Sequence, residues 1–453
     1  MGVSAANPSP CGEHYRMTLT GGVVSAPSPN PGDLLIIGAD LVGNGRADLL
    51  IRDGLFLDPA DVAPGTETVD ADGLVALPGL VDLHTHLREP GREDAETIAS
   101  GTRAAARGGF TAVLAMANTL PVTDTAEAAE HVAELGHRDG AAQVVPVGAV
   151  SKGLGGTELA ELGLMARSRA GVRVFSDDGR CVADARLMRR ALEYVRAFDG
   201  VIAQHAQDPQ LAGSDACCHE GEISGRLGLP GWPAAAEASI VARDVHLAGL
   251  TGSRVHVCHV STGETVEVIR WAKQRGLPVT AEVTPHHLLL TTDEVVGYDP
   301  TFKVNPPLRP AEDVLAVRDA LADGTIDVVA TDHAPHARHD KEHAFGEAAP
   351  GMLGLETALG VVLETMVNPG RFGWRELTER MSEAPAYIAR LTGQGRRLAI
   401  GEPANLVLVD PIARSVVDRG DSASLSRNNP WHGRELPDPV VATVWAGRVT
   451  YRR

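Results

Sequence analysis

Thiols are scarce in this chain. Cys11, Cys181, Cys217, Cys218 and Cys258 are the only cysteines in 453 residues, odd in number and without a Cys-x-x-Cys spacing. That excludes a disulfide framework and makes a reducing cytoplasm the expected compartment. Positive charge is also short: 41 Lys and Arg against 59 Asp and Glu leave a formal net charge of −18. A general nucleic-acid or anionic-membrane binder needs a basic footprint, so neither partner is expected. A local basic pocket for an anionic small molecule remains compatible with this balance. No apolar run approaches the roughly 20 residues of a membrane helix. No basic head followed by an apolar core is seen at the N-terminus, so no secretory signal is expected.

What is present is ordinary for a large globular protein, with 43% hydrophobic and 22% charged residues, enough for more than one structural unit. Residues 1–33 hold Pro8, Pro10, Pro27, Pro29 and Pro31 among Ser, Gly, Asn and Ala. This stretch buries too little apolar surface to offset its ordering entropy and is expected to be a disordered extension. From Leu34 to residue 80, short apolar runs cut by Gly and Asp read as strands and turns. The same texture returns over residues 396–453, and the two ends are expected to form one composite small β-sandwich domain.

Between them, over residues 81–395, β-branched runs alternate with Ala- and Leu-rich helical stretches. Eight such runs close on polar residues. They end at His84-Thr-His86, Ala117-Asn118, Gly148 to Ser151, Phe175 to Asp178, Gln204-His205, Cys258-His259, Glu282 to Thr284 and Thr331-Asp332-His333. Helices are expected over residues 94–107, 125–138, 184–198, 235–248, 263–275 and 311–322, with a weaker one near 157–169. Strand–helix alternation repeated eight times predicts an α/β fold, a TIM-like (β/α)8 barrel, whose site lies at the strands' C-terminal ends.

Those ends carry His84, His86, Asp178, His205, His259 and Asp332. Four imidazoles and two carboxylates without thiolate suit a catalytic zinc site, with one metal or two. Each has a plainer role when taken singly. A buried histidine is commonly just hydrogen-bonded, and Asp177-Asp178-Gly179 is good turn chemistry. Their collection at one end of one barrel is what singles them out. Cys258 directly precedes His259 and is expected to face the other way. Arg88 offers the planar fork that grips a carboxylate. Asn118, Asn305 in a Pro-Pro loop, and His336 are further substrate-binding candidates. Metal lowers the pKa of water and polarises a carbonyl, and Asp332 can carry the proton to a leaving nitrogen. Together these parts predict hydrolysis of a cyclic amide.

The run His84-Thr-His-Leu-Arg-Glu-Pro-Gly91, Met116-Ala-Asn-Thr119, Phe175-Ser-Asp-Asp-Gly179, Lys303-Val-Asn-Pro-Pro-Leu-Arg309, Thr331-Asp-His-Ala-Pro-His336 and the tail around Asn429-Pro-Trp-His-Gly-Arg434 resemble the type I dihydroorotases of the amidohydrolase superfamily. The resemblance implies reversible interconversion of N-carbamoyl-L-aspartate and dihydroorotate in pyrimidine synthesis. It assigns His84, His86, Asp178, His205, His259 and Asp332 to zinc, Arg88, Asn118, Asn305 and His336 to substrate, and proton transfer to Asp332. It also implies a homo-oligomer, with aspartate transcarbamoylase as a candidate partner. An aspartate stands where many relatives carry a carboxylated lysine, and the choice of Asp178 over Asp177 rests on family spacing. Gln207 follows His205 where a Cys-Glu pair is common in the family.

Hydantoinases, dihydropyrimidinases and allantoinases are the nearest alternatives, but their substrates lack the carboxylate that Arg88 would hold. A non-catalytic partner of aspartate transcarbamoylase is the other, and such a protein should have lost metal ligands. Residues 336–351 are polar and contain Gly346 and Gly351. They are expected to be either a mobile flap or a solvated loop.

Overall fold

The computed structural model describes residues 32–453. The extension expected over residues 1–33 therefore lies almost entirely outside the described residues. Of its last two residues, Asp33 is tied down by Arg52, whose Nε donates to it at 2.8 Å.

The alternating runs at both chain ends pair with one another. Leu34–Leu41 runs antiparallel to Arg46–Arg52, which runs antiparallel to Leu55–Leu57. On its other edge, Leu34–Leu41 takes Glu67–Asp70 along its first half and Val75–Pro78 along its second, both parallel. The two ends of the chain meet where Leu406–Val409 lies antiparallel to Val75–Pro78, with Leu406 opposite Pro78. Val440–Trp445 and Arg448–Arg452 extend that side. These strands make one connected eight-stranded sheet, where facing sheets were expected. Ile36, Leu49, Ile51, Phe56, Leu406, Leu408 and Val444 form its apolar core.

One residue, Gly79, separates this sheet from the central strands. A Cβ there would come within 2.3 Å of the Thr111 side chain, so the chain can pass only without one. Leu80–Thr85, Phe110–Ala115 and Gln143–Pro146 pair in parallel. Val174–Phe175, Val201–Gln204, Arg254–Val257, Val279–Val283 and Val328–Val329 form a second parallel set. Parallel bridges from Gly148 to Phe175 and from Thr85 to His333 join the sets at both seams. The eight strands thus follow one another in cyclic order, and their apolar runs pack against the surrounding helices.

Helices follow where they were expected, and three of them start later, behind a capping side chain. Thr97, Thr125, Asp184 and Thr262 each accept a backbone N–H in the first turn, ahead of Ile98–Arg107, Ala126–Asp139, Ala185–Val195 and Gly263–Gln274. Those bonds satisfy donors that the helix itself leaves free. The weak third helix is short, Leu162–Arg167.

The chain's tail does not stay in the end sheet. Residues 422–431 leave it and lie against the central unit. Ser424 Oγ donates to Glu96, Ser426 Oγ to Ala95 O at 2.7 Å, and Trp431 is buried in the main core. Among the described residues, no helix is long and apolar enough to cross a membrane.

Candidate metal centre

Strand one delivers its histidines through an anchored end. Asp82 is fully buried and accepts from Thr85 Oγ1 at 2.6 Å, Thr331 Oγ1 at 2.5 Å and Thr331 N at 2.8 Å. It thereby locks strand one to strand eight, directly before Asp332. His86 N continues the seam by donating to His333 O at 2.9 Å.

The six candidate ligands converge around Asp178. Its Oδ2 lies 3.3 Å from both His84 Nε2 and His86 Nε2. Its Oδ1 lies 3.3 Å from both His205 Nδ1 and His259 Nε2. Asp332 Oδ1 stands 3.2 Å from His86 Nε2 and 3.5 Å from His84 Nε2. One carboxylate therefore has a pair of imidazoles at each oxygen, and the second carboxylate joins the first pair. Asp177 turns the other way. Its carboxylate accepts from Val150 N at 2.8 Å and Ser151 N at 2.9 Å, and also from Ser151 Oγ.

The nitrogen remote from this centre is held on three of the four histidines. His84 Nδ1 donates to Glu282 Oε1 at 2.6 Å, and His86 Nδ1 to Asn118 Oδ1 at 2.9 Å. His205 Nε2 meets Gln207 Oε1 at 2.9 Å. Such partners fix which nitrogen faces inward with its lone pair. His84 Nε2 is buried and has no hydrogen-bond partner, and His205 Nδ1 faces His259 Nε2 at 2.9 Å. Two imidazole nitrogens that close need a proton or a cation between them.

The electrostatics point the same way. Burial disfavours charge on His84, but Asp178, Glu282 and Asp332 outweigh it and raise its pKa well above the usual value. Burial pushes Asp332 up, yet His84 and His86 draw it down to about 2. Asp178 is likewise held well below the carboxylate range by His84, His205 and His259 against its burial. The site keeps its carboxylates ionised and favours positive charge among them. This donor set, with an orphaned buried nitrogen at its middle, fits a metal.

Arg88, His259 and Asp332 have φ of 61°, 32° and 47°. Left-handed backbone is costly for such side chains and persists where surrounding structure enforces it. Strand alternation also stops short of Arg88. Strand one ends at Thr85, so Arg88 reaches the rim by a turn, its Nε donating to Pro335 O at 3.0 Å. Cys258 was expected to face away from the site, and its side chain is buried in an apolar cluster with Leu83, Leu114 and Val328. Its Sγ also groups with His84 and Glu282, the three potential ligand atoms lying within 4.8 Å of one another.

The substrate candidates surround the same opening. Asn118 spends its oxygen on His86 and directs Nδ2 to Asp178 O at 3.4 Å. Asn305 Nδ2 donates to Gln207 Oε1 at 3.1 Å, and its buried Oδ1 has no partner. His336 is tied through Nε2 to Pro350 O at 2.8 Å. Burial, with Arg88 and Lys341 nearby, lowers its pKa to about 2, so it is neutral. Burial lowers Arg88 to about 10, which leaves it a cation at neutral pH.

The family model for dihydro-orotase-like proteins matches residues 73–265. A dihydroorotase of Streptomyces coelicolor is 59% identical over 419 residues, covering 92% of this chain and 97% of the relative. A dihydroorotase of Mycobacterium tuberculosis is 55% identical, covering 92% and 98%. The chain belongs to the dihydroorotase family. Its fold is also that of related cyclic-amide hydrolases among the amidohydrolases. An L-hydantoinase (dihydropyrimidinase) from Arthrobacter aurescens has a TM-score of 0.81 at 26% identity, covering 93% of this chain and 96% of that one. A dihydropyrimidinase from Brevibacillus agri gives 0.81 at 21%, covering 93% and 95%.

Glu282, His256 and Gln207 had no assigned role in the sequence reading. Glu282 was visible only as a polar strand end, and Gln207 only as a departure from the family's usual pair.

Proposed function

We propose that this chain is a zinc-dependent dihydroorotase, closing N-carbamoyl-L-aspartate to dihydroorotate and reopening it in pyrimidine synthesis. One observation carries the reading: four imidazoles and two carboxylates converge within 3.5 Å contacts beside the cationic Arg88. The eight strands in cyclic order are read as a (β/α)8 barrel with the site at their C-terminal ends. The end sheet is read as a second, smaller domain over residues 34–80 and 396–453, less the stretch 422–431 that packs on the barrel.

His84 and His86 with Asp332 would hold one zinc, His205 and His259 another, and Asp178 would bridge them. Zinc there would supply a Lewis acid able to polarise a carbonyl and to acidify water. Asp332, held ionised, accepts the proton of the attacking water as the carbonyl carbon gains its oxygen. It then returns that proton to the ring nitrogen as the C–N bond breaks. Cyclisation runs the same transfers in reverse. Arg88 grips the ring carboxylate, and the free Oδ1 of Asn305 accepts from a substrate N–H. Asn118 and the uncharged His336 complete the polar wall. A cytoplasmic homo-oligomer suits this reading. Aspartate transcarbamoylase would be its assembly partner, with the ligand set supplied by this chain alone.

Hydantoinase activity is the second reading, supported by the fold neighbours. The purified protein, assayed on dihydroorotate and on hydantoin, separates the two. Dihydroorotate turnover is expected, and turnover of hydantoin alone would overturn the reading. Arg88→Lys keeps the charge but loses the fork. It should raise KM for dihydroorotate by about tenfold or more, equivalent to about 1.4 kcal/mol, with bound zinc unchanged.

A further inference from the structure

We propose that Glu282 is a positioning residue for the metal centre, fixing His84 and His259 together through one buried carboxylate. This rests on the reading of both histidines as ligands. Glu282 is fully buried on the strand Val279–Val283. Its Oε1 accepts from His84 Nδ1 at 2.6 Å and from the backbone N–H of His259 at 3.2 Å. Its Oε2 is taken by His256 Nε2 at 2.9 Å. His256 is in turn held at Nδ1 by Thr280 Oγ1 at 2.9 Å. His256 and Thr280 are register partners on neighbouring strands, and Thr280 shares a strand face with Glu282. The chain Thr280–His256–Glu282–His84 thus crosses the interior from strands six and seven to strand one.

The chemistry follows from which atoms are used. With Nδ1–H donated to Glu282, His84 presents only Nε2 inward, and that is the buried nitrogen without a hydrogen-bond partner. The bond to His259 N fixes the residue whose backbone is held at φ 32°. A negative carboxylate behind an imidazole also makes it a stronger donor to a cation. His256 Nε2 holds the other carboxylate oxygen of Glu282 on the far side. A plain core ion pair would need neither the contact to a ligand's ring nor the one to a second ligand's backbone.

Glu282→Gln keeps size and an acceptor oxygen but removes the charge. His256→Gln leaves Glu282 in place and removes the imidazole that holds its Oε2. Both are compared with wild type by stripping the protein, titrating Zn2+ against a chromogenic chelator, and melting the metal-free forms. Glu282→Gln should weaken Zn2+ binding on the order of 10- to 100-fold, with the melting temperature of the metal-free protein little changed. His256→Gln should weaken it in the same direction, and it carries the test if Glu282→Gln does not fold. Wild-type affinity in either folded variant overturns the proposal, as does a fall in melting temperature with affinity intact. Failure of the wild type itself to bind Zn2+ would instead sink the metal-centre reading.

Discussion

Two adjacent aspartates show what a single residue position decides. The sequence offers Asp177 and Asp178 as equal turn residues, and only family spacing favours the second. In the structure Asp178 has imidazoles at both oxygens, while Asp177 binds the backbone of Val150 and Ser151. Nothing local could reveal this, because the contacts come from strands one, three, five and six. The two should separate under mutation. Asp178→Asn should cost at least about 100-fold in turnover, beyond the 10- to 100-fold range of groups that only support a ligand. Asp177→Asn turns an amide donor toward backbone donors. It should lose about 1–3 kcal/mol of stability in urea unfolding while zinc content stays at the wild-type level. Equal zinc loss in both would mean that the bridging position is wrongly assigned. The histidines were legible because His-x-His and paired strand ends are local patterns. Glu282 and Gln207 were not, because their partners lie on other strands or on the ring nitrogen that no sequence displays.

Among the elements, strands and helices were read well where a long apolar period ran into a cap. Loops carried less signal, as residues 336–351 show. Polar composition suggested a flap or a solvated loop, and in the structure the segment is anchored at several points. Phe345 packs with Cys217, Cys218 and Val295. Lys303 Nζ donates to Gly346 O at 2.7 Å. Lys341 is buried, with Nζ donating to Ala349 O at 2.8 Å and to the carbonyls of Gly351 and Lys303 at 3.3 and 3.4 Å. Burial, with Lys303 nearby, lowers its pKa to about 7 from 10.5. Between those values the unfolded chain binds more protons than the folded one, so this group makes stability rise with pH from about 7 toward 10.5. Below about 7 its penalty is constant. Lys341→Met should flatten the rise seen in urea unfolding across that window. An unchanged slope would show that the lysine stays charged in the fold.

Across the whole molecule, pairing of the chain ends was visible as matching strand texture at both termini. The return of the tail onto the central unit was not, because it is carried by single polar side chains far apart in sequence. Asn428 illustrates it. Its Nδ2 donates to Ala334 O at 2.9 Å and Gly351 O at 3.1 Å, and its Oδ1 accepts from His336 N at 3.2 Å. One tail residue thereby holds both ends of the loop beside the site. Asn428→Ala takes this partner from Ala334 O and His336 N, while Gly351 O keeps Lys341 Nζ. It should cost about 1–3 kcal/mol of stability and raise KM for dihydroorotate, with zinc retained. Unchanged KM would confine the tail to a structural role.

The central claim is a pair of metal positions bridged by Asp178 that sustain dihydroorotate chemistry. It is tested most directly by stripping the protein with a chelator and titrating zinc back while following dihydroorotate turnover. Activity should vanish on stripping, return with bound zinc, and saturate at two zinc ions per chain. Turnover by the stripped protein, or full activity at one zinc per chain, would contradict it.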